Sequence, residues 1–428
     1  MTVLQDSLTS RARVGEFQQG WPVVLLGLAG VLTSMSAALL YGFGTLVIPL
    51  QEAFGWSRGE LQTSITFLFA GVAIGSQLLG SLYARYGLRR VALVSLVLQV
   101  LCYGALTMLG GSIYWLYAAF FLMPLLAVGT IAITWTQLVS LWFERNRGVA
   151  LAIILSGSGV AAMAMPPLLA WSIQHGGWRS AFILLAAMPL LLTLPMALLW
   201  LRFPAQLSTS PDTSTAQPAV EGMRFASAIR TRVFWGCNLA LILSVSLIVG
   251  MVTTIVPYLQ DKGVPSLTAS QIFSSFGISI IAGRLLVGYL LDRFAPHVIA
   301  AASLCVPALG CLLFMFSGPE AIGLLVLATI CIGFSAGAEF DIAAFLIARY
   351  FGLRDYARIF GLHLGLVTVI SGLAPAMFGH LFTVFGNYNP VLFYCLACAV
   401  IAPLVMLTLG SVPLYRSSTG SISREVHP

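Results

Sequence analysis

Runs of mostly apolar residues, each long enough to cross a bilayer, recur about every 35 residues from Trp21 to Leu409, and this recurrence limits what the chain can fold into more than anything else in it. A spanning helix needs roughly 20 such residues, so the spacing predicts an all-α membrane protein of twelve spans. They are expected at 21–50, 62–82, 91–109, 113–141, 149–173, 180–201, 234–258, 269–291, 297–316, 321–348, 359–385 and 389–410. Composition agrees: 8% of the 428 residues are charged, against about 25% in a soluble domain. Such a chain cannot clothe itself in a water-compatible surface.

A formal charge of +7 could suggest a nucleic-acid partner, but the basic residues are dispersed between apolar runs and not clustered on one face, so no such partner is expected. With the N-terminus inside, every Lys and Arg except Arg58, Arg179, Lys262 and Arg284 falls in connections on one side of the membrane. The positive-inside rule makes that side cytoplasmic, together with both termini. Met1 to Gly20 lacks the apolar core and cleavage site of a signal peptide, so the first span is expected to direct insertion.

Several chemistries are excluded. No G-x-x-x-x-G-K-[ST] loop offers an ATP-driven motor. The five histidines are scattered, and the seven cysteines lie in or at the ends of apolar runs without the spacing of a disulfide or zinc framework. Neither an enzyme, nor a metal, nor another cofactor is expected.

The one long polar stretch, Gln206 to Glu221, is rich in Ser, Thr and Pro and cannot bury a core. It divides the chain into an N-terminal six-helix bundle (1–201), a cytoplasmic linker (202–233), a C-terminal six-helix bundle (234–411) and a cytoplasmic tail (412–428). The halves resemble each other at a fixed offset, the mark of internal duplication. Adding 208 carries Gly75 to Gly283, Gly80 to Gly288, Arg85 to Arg293, Gly129 to Gly337 and Phe143 to Phe351, and adding 210 carries Trp178 to Tyr388.

The loop after the second span runs Gly80-Ser-Leu-Tyr-Ala-Arg85-Tyr-Gly87-Leu-Arg89-Arg90, and after the eighth Gly288-Tyr-Leu-Leu-Asp292-Arg293. Both resemble the G-x-L-x-D-R-x-G-R-[KR] loop of the major facilitator superfamily, with Ala84 where the first copy should carry the aspartate. The resemblance implies two pseudo-symmetric six-helix bundles whose loop charges gate the cytoplasmic face. Phe54-Gly-Trp-Ser-Arg58, Gly177-Trp-Arg-Ser-Ala-Phe182, Gly283-Arg284, Gly337-Ala-Glu339-Phe-Asp341 and Arg349-Tyr-Phe-Gly-Leu-Arg354 narrow the likeness to bacterial relatives of the monocarboxylate transporters and oxalate/formate exchangers.

Arg284 stands eight residues before Asp292, about 12 Å inside the helix end at 1.5 Å per residue. A cation at that depth costs about 2.5–3.5 kcal/mol on insertion scales and normally faces a pathway or a protein partner. Its planar fork suits a carboxylate, and the resemblance implies that it binds the substrate's. Glu339 and Asp341 lie at comparable depth in the tenth span, on different faces of one helix, so one is expected to address Arg284. A carboxylate beside a mobile arginine is a natural proton-coupling group, while a permanent ion pair is the competing reading. His363, in the eleventh span, is a second polar ligand or a packing histidine. The exchangers place a lysine in that span, whereas the single lysine here, Lys262, is outside the membrane, which favours one carboxylate per substrate unless His363 is charged. Tyr41, Trp135, Gln137 and Asn238 belong to the spans that line the cavity in this fold, with ordinary packing as the alternative for each.

The expected activity is secondary transport of a small organic monocarboxylate with a proton, by a monomer in the lipid of a bacterial inner membrane. An oxalate/formate-type anion exchanger is the nearest alternative, and a non-transporting receptor a more distant one.

Overall fold

The computed structural model describes residues 16–143, 146–201, 222–291, 293–352 and 354–410. Gln206 to Glu221, the expected tail 412–428 and Asp292 lie outside the described residues. The fold is helical throughout, and among the described residues ten helices are long and apolar enough to cross a membrane. The first crossing, α1, is built from Glu16–Thr33, a π-helical turn Met35–Leu39, and Leu40–Phe54. Next come α2 (Arg58–Tyr86) and α3 (Leu88–Leu106). The fourth, α4, is broken: Ile113–Leu126, a single 3-10 turn Val128–Thr130, and Ala132–Trp142.

A continuous apolar run from Arg147 to Trp200 holds two crossings. Arg147–Leu155 and residues 157–176 form α5; residues 178–188, Pro189–Thr193 and Leu194–Trp200 form α6. Gly177 divides them at φ 68° and ψ −175°, a backbone conformation that a side chain resists. The second half contains α7 (Arg232–Asp261), α8 (Ser266–Leu291), α9 (Pro296–Phe316), α10 (Ile322–Phe351), α11 (Tyr356–Phe385) and α12 (Asn389–Thr408). The expected span positions therefore match the observed crossings.

One expected boundary moves. Residues 222–233, read from sequence as the end of the linker, are folded onto the second half: Met223 N–H donates to the Phe351 carbonyl at 2.7 Å, and Phe225 N–H to the Asp355 carboxylate at 2.7 Å. The apolar side chains of Met223, Phe225 and Ile229 pack there against the core around Phe234 and Phe351, which polar linker residues would not do.

The duplication is visible in the packing. A Cβ on Gly75 would lie 3.0 Å from the Pro124 carbonyl oxygen, where α2 crosses α4, and Gly283 makes the same kind of approach to Phe334 where α8 crosses α10. Small residues let helix backbones meet in a membrane, where apolar burial alone gives helices little reason to associate.

The halves meet mainly through α2 with α11, α5 with α8, and α1 with α7. Among the described residues, every hydrogen bond between the halves lies on the side away from the termini. Gln62 Nε2 donates to the Thr253 carbonyl at 3.0 Å, Thr66 Oγ1 to the Gly372 carbonyl at 2.6 Å, and Gly59 N–H to Thr383 at 3.3 Å. Arg58 joins Asp261 and Tyr388 on the same side.

Candidate functional site

Glycine contacts place the central charges. On α10, Gly337 lies against the backbone of α8, where an added Cβ would come 3.0 Å from Arg284 N. With the Gly283 approach to Phe334, this binds α8 tightly to α10 and brings three charged groups together near mid-membrane. Arg284 lies about 10 Å from the Leu291 end of α8, and Glu339 and Asp341 about 18 and 15 Å from the Phe351 end of α10, at 1.5 Å per residue.

The two acids have different surroundings. Asp341 pairs with Arg284, Oδ2 to Nε at 3.4 Å, and its side chain is 41% exposed against 19% for the arginine. Glu339 is 5% exposed, and its Oε2 has no hydrogen-bond partner. Nor have Nε and Nη1 of Arg284, the Asp341 contact being longer and less directed than a hydrogen bond. Asp341 is thus the more exposed partner of the pair, while Arg284 Nε and Nη1 are buried. Sequence left open which acid addresses Arg284; the structure gives that position to Asp341.

Tyr41 joins this group from the other half. Its ring lies 6.1 Å from that of Phe276 on α8, and it is an electrostatic neighbour of Glu339 and Arg284. Just beyond, Gly159 of α5 meets Gly277 of α8, a Cβ on Gly159 falling 2.8 Å from the Gly277 carbonyl oxygen. Arg284 lies on the termini side of this crossing.

Asn238 and His363 form a second polar pair, linking α7 to α11. Asn238 Nδ2 donates to the Phe234 carbonyl at 2.9 Å, leaving Oδ1 as acceptor for His363 Nδ1 at 2.8 Å. The neutral ring therefore carries its proton on Nδ1 and presents Nε2 as an acceptor. Both residues are 2% exposed.

Trp135 stands apart. It is fully buried in the core of the first half, with its ring against Gly30 and its indole N–H donated to the Thr130 carbonyl at 3.0 Å. Those contacts are the packing alternative weighed for it. Gln137 is exposed.

In the gating loops, Arg85 lies over the ring of its neighbour Tyr86 at 5.3 Å and Arg293 over Tyr289 at 4.1 Å. Arg89 is exposed, Gly87 ends α2 at φ 76°, and a Cβ on Gly80 or Gly288 would meet open space. Neither Arg85 nor Arg293 has an ion-pair partner among the described residues, where the ion pairs are Arg58–Asp261 and Arg284–Asp341.

Sequence reasoning missed Arg58. It lies in the Phe54–Arg58 motif and on the side that carries few cations, but its partners come from the other half of the chain.

A bundle of membrane-crossing helices in two related halves, with a buried arginine and two acids at mid-depth, has the build of a secondary carrier. The family model of the Major Facilitator Superfamily matches residues 26–375 and 249–424, and the chain belongs to that family. It is 28% identical over 374 residues to monocarboxylate transporter 13 of Bos taurus, covering 86% of this chain and 84% of that one. To the gallate transporter of Pseudomonas putida it is 26% identical over 419 residues, covering 86% and 88%. The crystal structure of a bacterial homologue of the human lysosomal transporter Spinster superposes with a TM-score of 0.62 at 18% identity, over 91% of this chain and 93% of the other, the same fold.

Proposed function

We propose that this transporter moves a small organic monocarboxylate across the bacterial inner membrane together with a proton, as a monomer with both termini in the cytoplasm. The observation that carries the reading is Arg284: a mid-membrane guanidinium whose Nε and Nη1 are buried without a hydrogen-bond partner among the described residues, with an acid alongside. An arginine fork left so poorly satisfied in a low-dielectric site favours an incoming carboxylate. The relatives named for monocarboxylate and gallate transport support the substrate class.

Asp341 is the coupling acid in this reading. While ionised it competes with the substrate for Arg284; once protonated it releases the guanidinium, and the carboxylate takes its place. Tyr41, contributed by the other half, closes on the same ligand, so binding and the relative position of the halves are linked. Asn238 and His363 offer polar contacts to the remainder of the substrate. Lys262, the single lysine, is held by the carbonyls of Phe314 and Ser317, each at 2.7 Å. Lys262 is thus committed to backbone carbonyls, in keeping with a substrate that carries one carboxylate.

The test is uptake of labelled mono- and dicarboxylates into proteoliposomes with and without an inward proton gradient, beside Arg284→Ala. Gradient-driven accumulation of a monocarboxylate, lost in a folded Arg284→Ala protein, is expected. Full uptake by that variant overturns the assignment of Arg284. Uptake that ignores the gradient but rises with internal anion makes the protein an exchanger.

A further inference from the structure

Arg58 begins α2 on the side away from the termini, in the segment Phe54-Gly-Trp-Ser-Arg58. The local sequence fixes it there. Gly55 ends α1 at φ 73°, Trp56 stacks on Phe54 at 4.3 Å, and Ser57 caps α2 in a reciprocal arrangement with Glu60. From that position the guanidinium crosses to the other half. It grips both carboxylate oxygens of Asp261 at the end of α7, Nη2 to Oδ1 at 2.7 Å, and donates also to the hydroxyl of Tyr388, just before α12. The plane lies 4.2 Å from the ring centre of Phe382 on α11, and Nε reaches Gln51 of α1 at 3.3 Å.

We propose that Arg58, Asp261 and Tyr388 form a latch that holds the far face closed and sets how often the transporter opens to that side. Two further observations separate a latch from a permanent rivet. The halves touch around it through glycines: a Cβ on Gly379 would lie 2.7 Å from the Arg58 carbonyl oxygen, and one on Gly44 3.2 Å from that of Thr253. At these two points a glycine, not a side chain, faces the opposite backbone. The pair is also lopsided, with Arg58 9% and Asp261 33% exposed. Asp261 borders a cavity of about 340 Å³ shared with Lys262, Phe382 and Tyr388, through which its carboxylate regains water when the arginine leaves. A fully buried pair would instead strand a charge on opening.

The inference rests on the transporter reading but not on any substrate, and its test needs none. Thr253→Cys introduces a thiol at the far-face seam, and an impermeant maleimide is applied from that side. Modification at position 253 is followed by mass spectrometry, so the native cysteines do not interfere. Arg58→Gln should raise the labelling rate about tenfold by shifting the opening equilibrium, and Arg58→Glu combined with Asp261→Arg should bring it back towards the parent value. An unchanged rate in a monodisperse Arg58→Gln protein overturns the proposal. So does equal labelling of the single variant and the charge-exchanged pair, since any loss of packing would produce that. If labelling responds as expected while no carboxylate is transported, the latch stands and the substrate assignment fails.

Discussion

The two faces of this transporter use the same residue type to opposite effect. Away from the termini, Arg58 reaches across to Asp261 and Tyr388, and the glycines beside it are pressed against the opposite half. Near the termini, Arg85 and Arg293 rest on nearby tyrosines of their own halves, and Gly80 and Gly288 face open space. Among the described residues the arginines of the duplicated loops therefore have no ion-pair partner, whereas the unduplicated one is engaged. Adding 208 to Arg58 gives Ser266, so the second half offers no counterpart. An internally symmetric fold holds an asymmetric state through a contact that the symmetry does not repeat.

If the closed and open faces exchange during transport, the charges between them must report which is open. Asp341→Asn should abolish gradient-driven accumulation, because the amide imitates the protonated acid and leaves Arg284 permanently released. Exchange of labelled for unlabelled substrate should continue, since both faces still open. Accumulation that survives in Asp341→Asn would move the coupling role to Glu339 or remove it. Next in size, alanine at Arg85 and Arg293 together should slow turnover about tenfold, the scale of a modest shift in an opening equilibrium. Both are exposed, so the thermal midpoint should stay close to the parent's. A melting point that falls with turnover would mean that the loops are structural, and the contrast between faces would lose its functional meaning.

Glycine substitutions sharpen the contrast directly. Gly379→Val forces a side chain onto the Arg58 carbonyl and should destabilise the protein by about 1–3 kcal/mol, the usual cost of overpacking. Gly288→Ala fills open space in a helix and should stabilise slightly, by up to about 1 kcal/mol. Equal effects in denaturation would show that the two faces are packed alike.

The crossings were legible because each is a long apolar run, and the deep charges because a charge inside such a run is rare. The breaks were not: α1 turns π-helical at Met35–Leu39 and α4 pauses at Val128–Thr130, where only small residues such as Ser34, Ser36, Gly129 and Thr130 interrupt long apolar runs and hydropathy carries little signal. The facing of Glu339 and Asp341 depends on the rotation of α10 about its axis, which is set by Gly337 against α8 and not by spacing. Arg58 lies 203 and 330 positions from its partners, and no local pattern encodes such a contact. Its one trace was charge bias, as a cation on the side where this chain places few.

Trp135 provides the smallest test and applies the contrast within one half. Its end of the first half lies on the termini side, where no hydrogen bond joins the halves among the described residues, yet the ring is fully buried on Gly30 and its N–H is spent on the Thr130 carbonyl. This end of the half is thus tightly packed in itself. Trp135→Phe removes one hydrogen bond and some ring area. It should lower stability by about 1 kcal/mol, the net worth of such a bond, and leave the substrate KM unchanged. A raised KM at unaltered stability would mean that the indole reaches the ligand in another state of the cycle, and that the core of this half rearranges when the faces exchange.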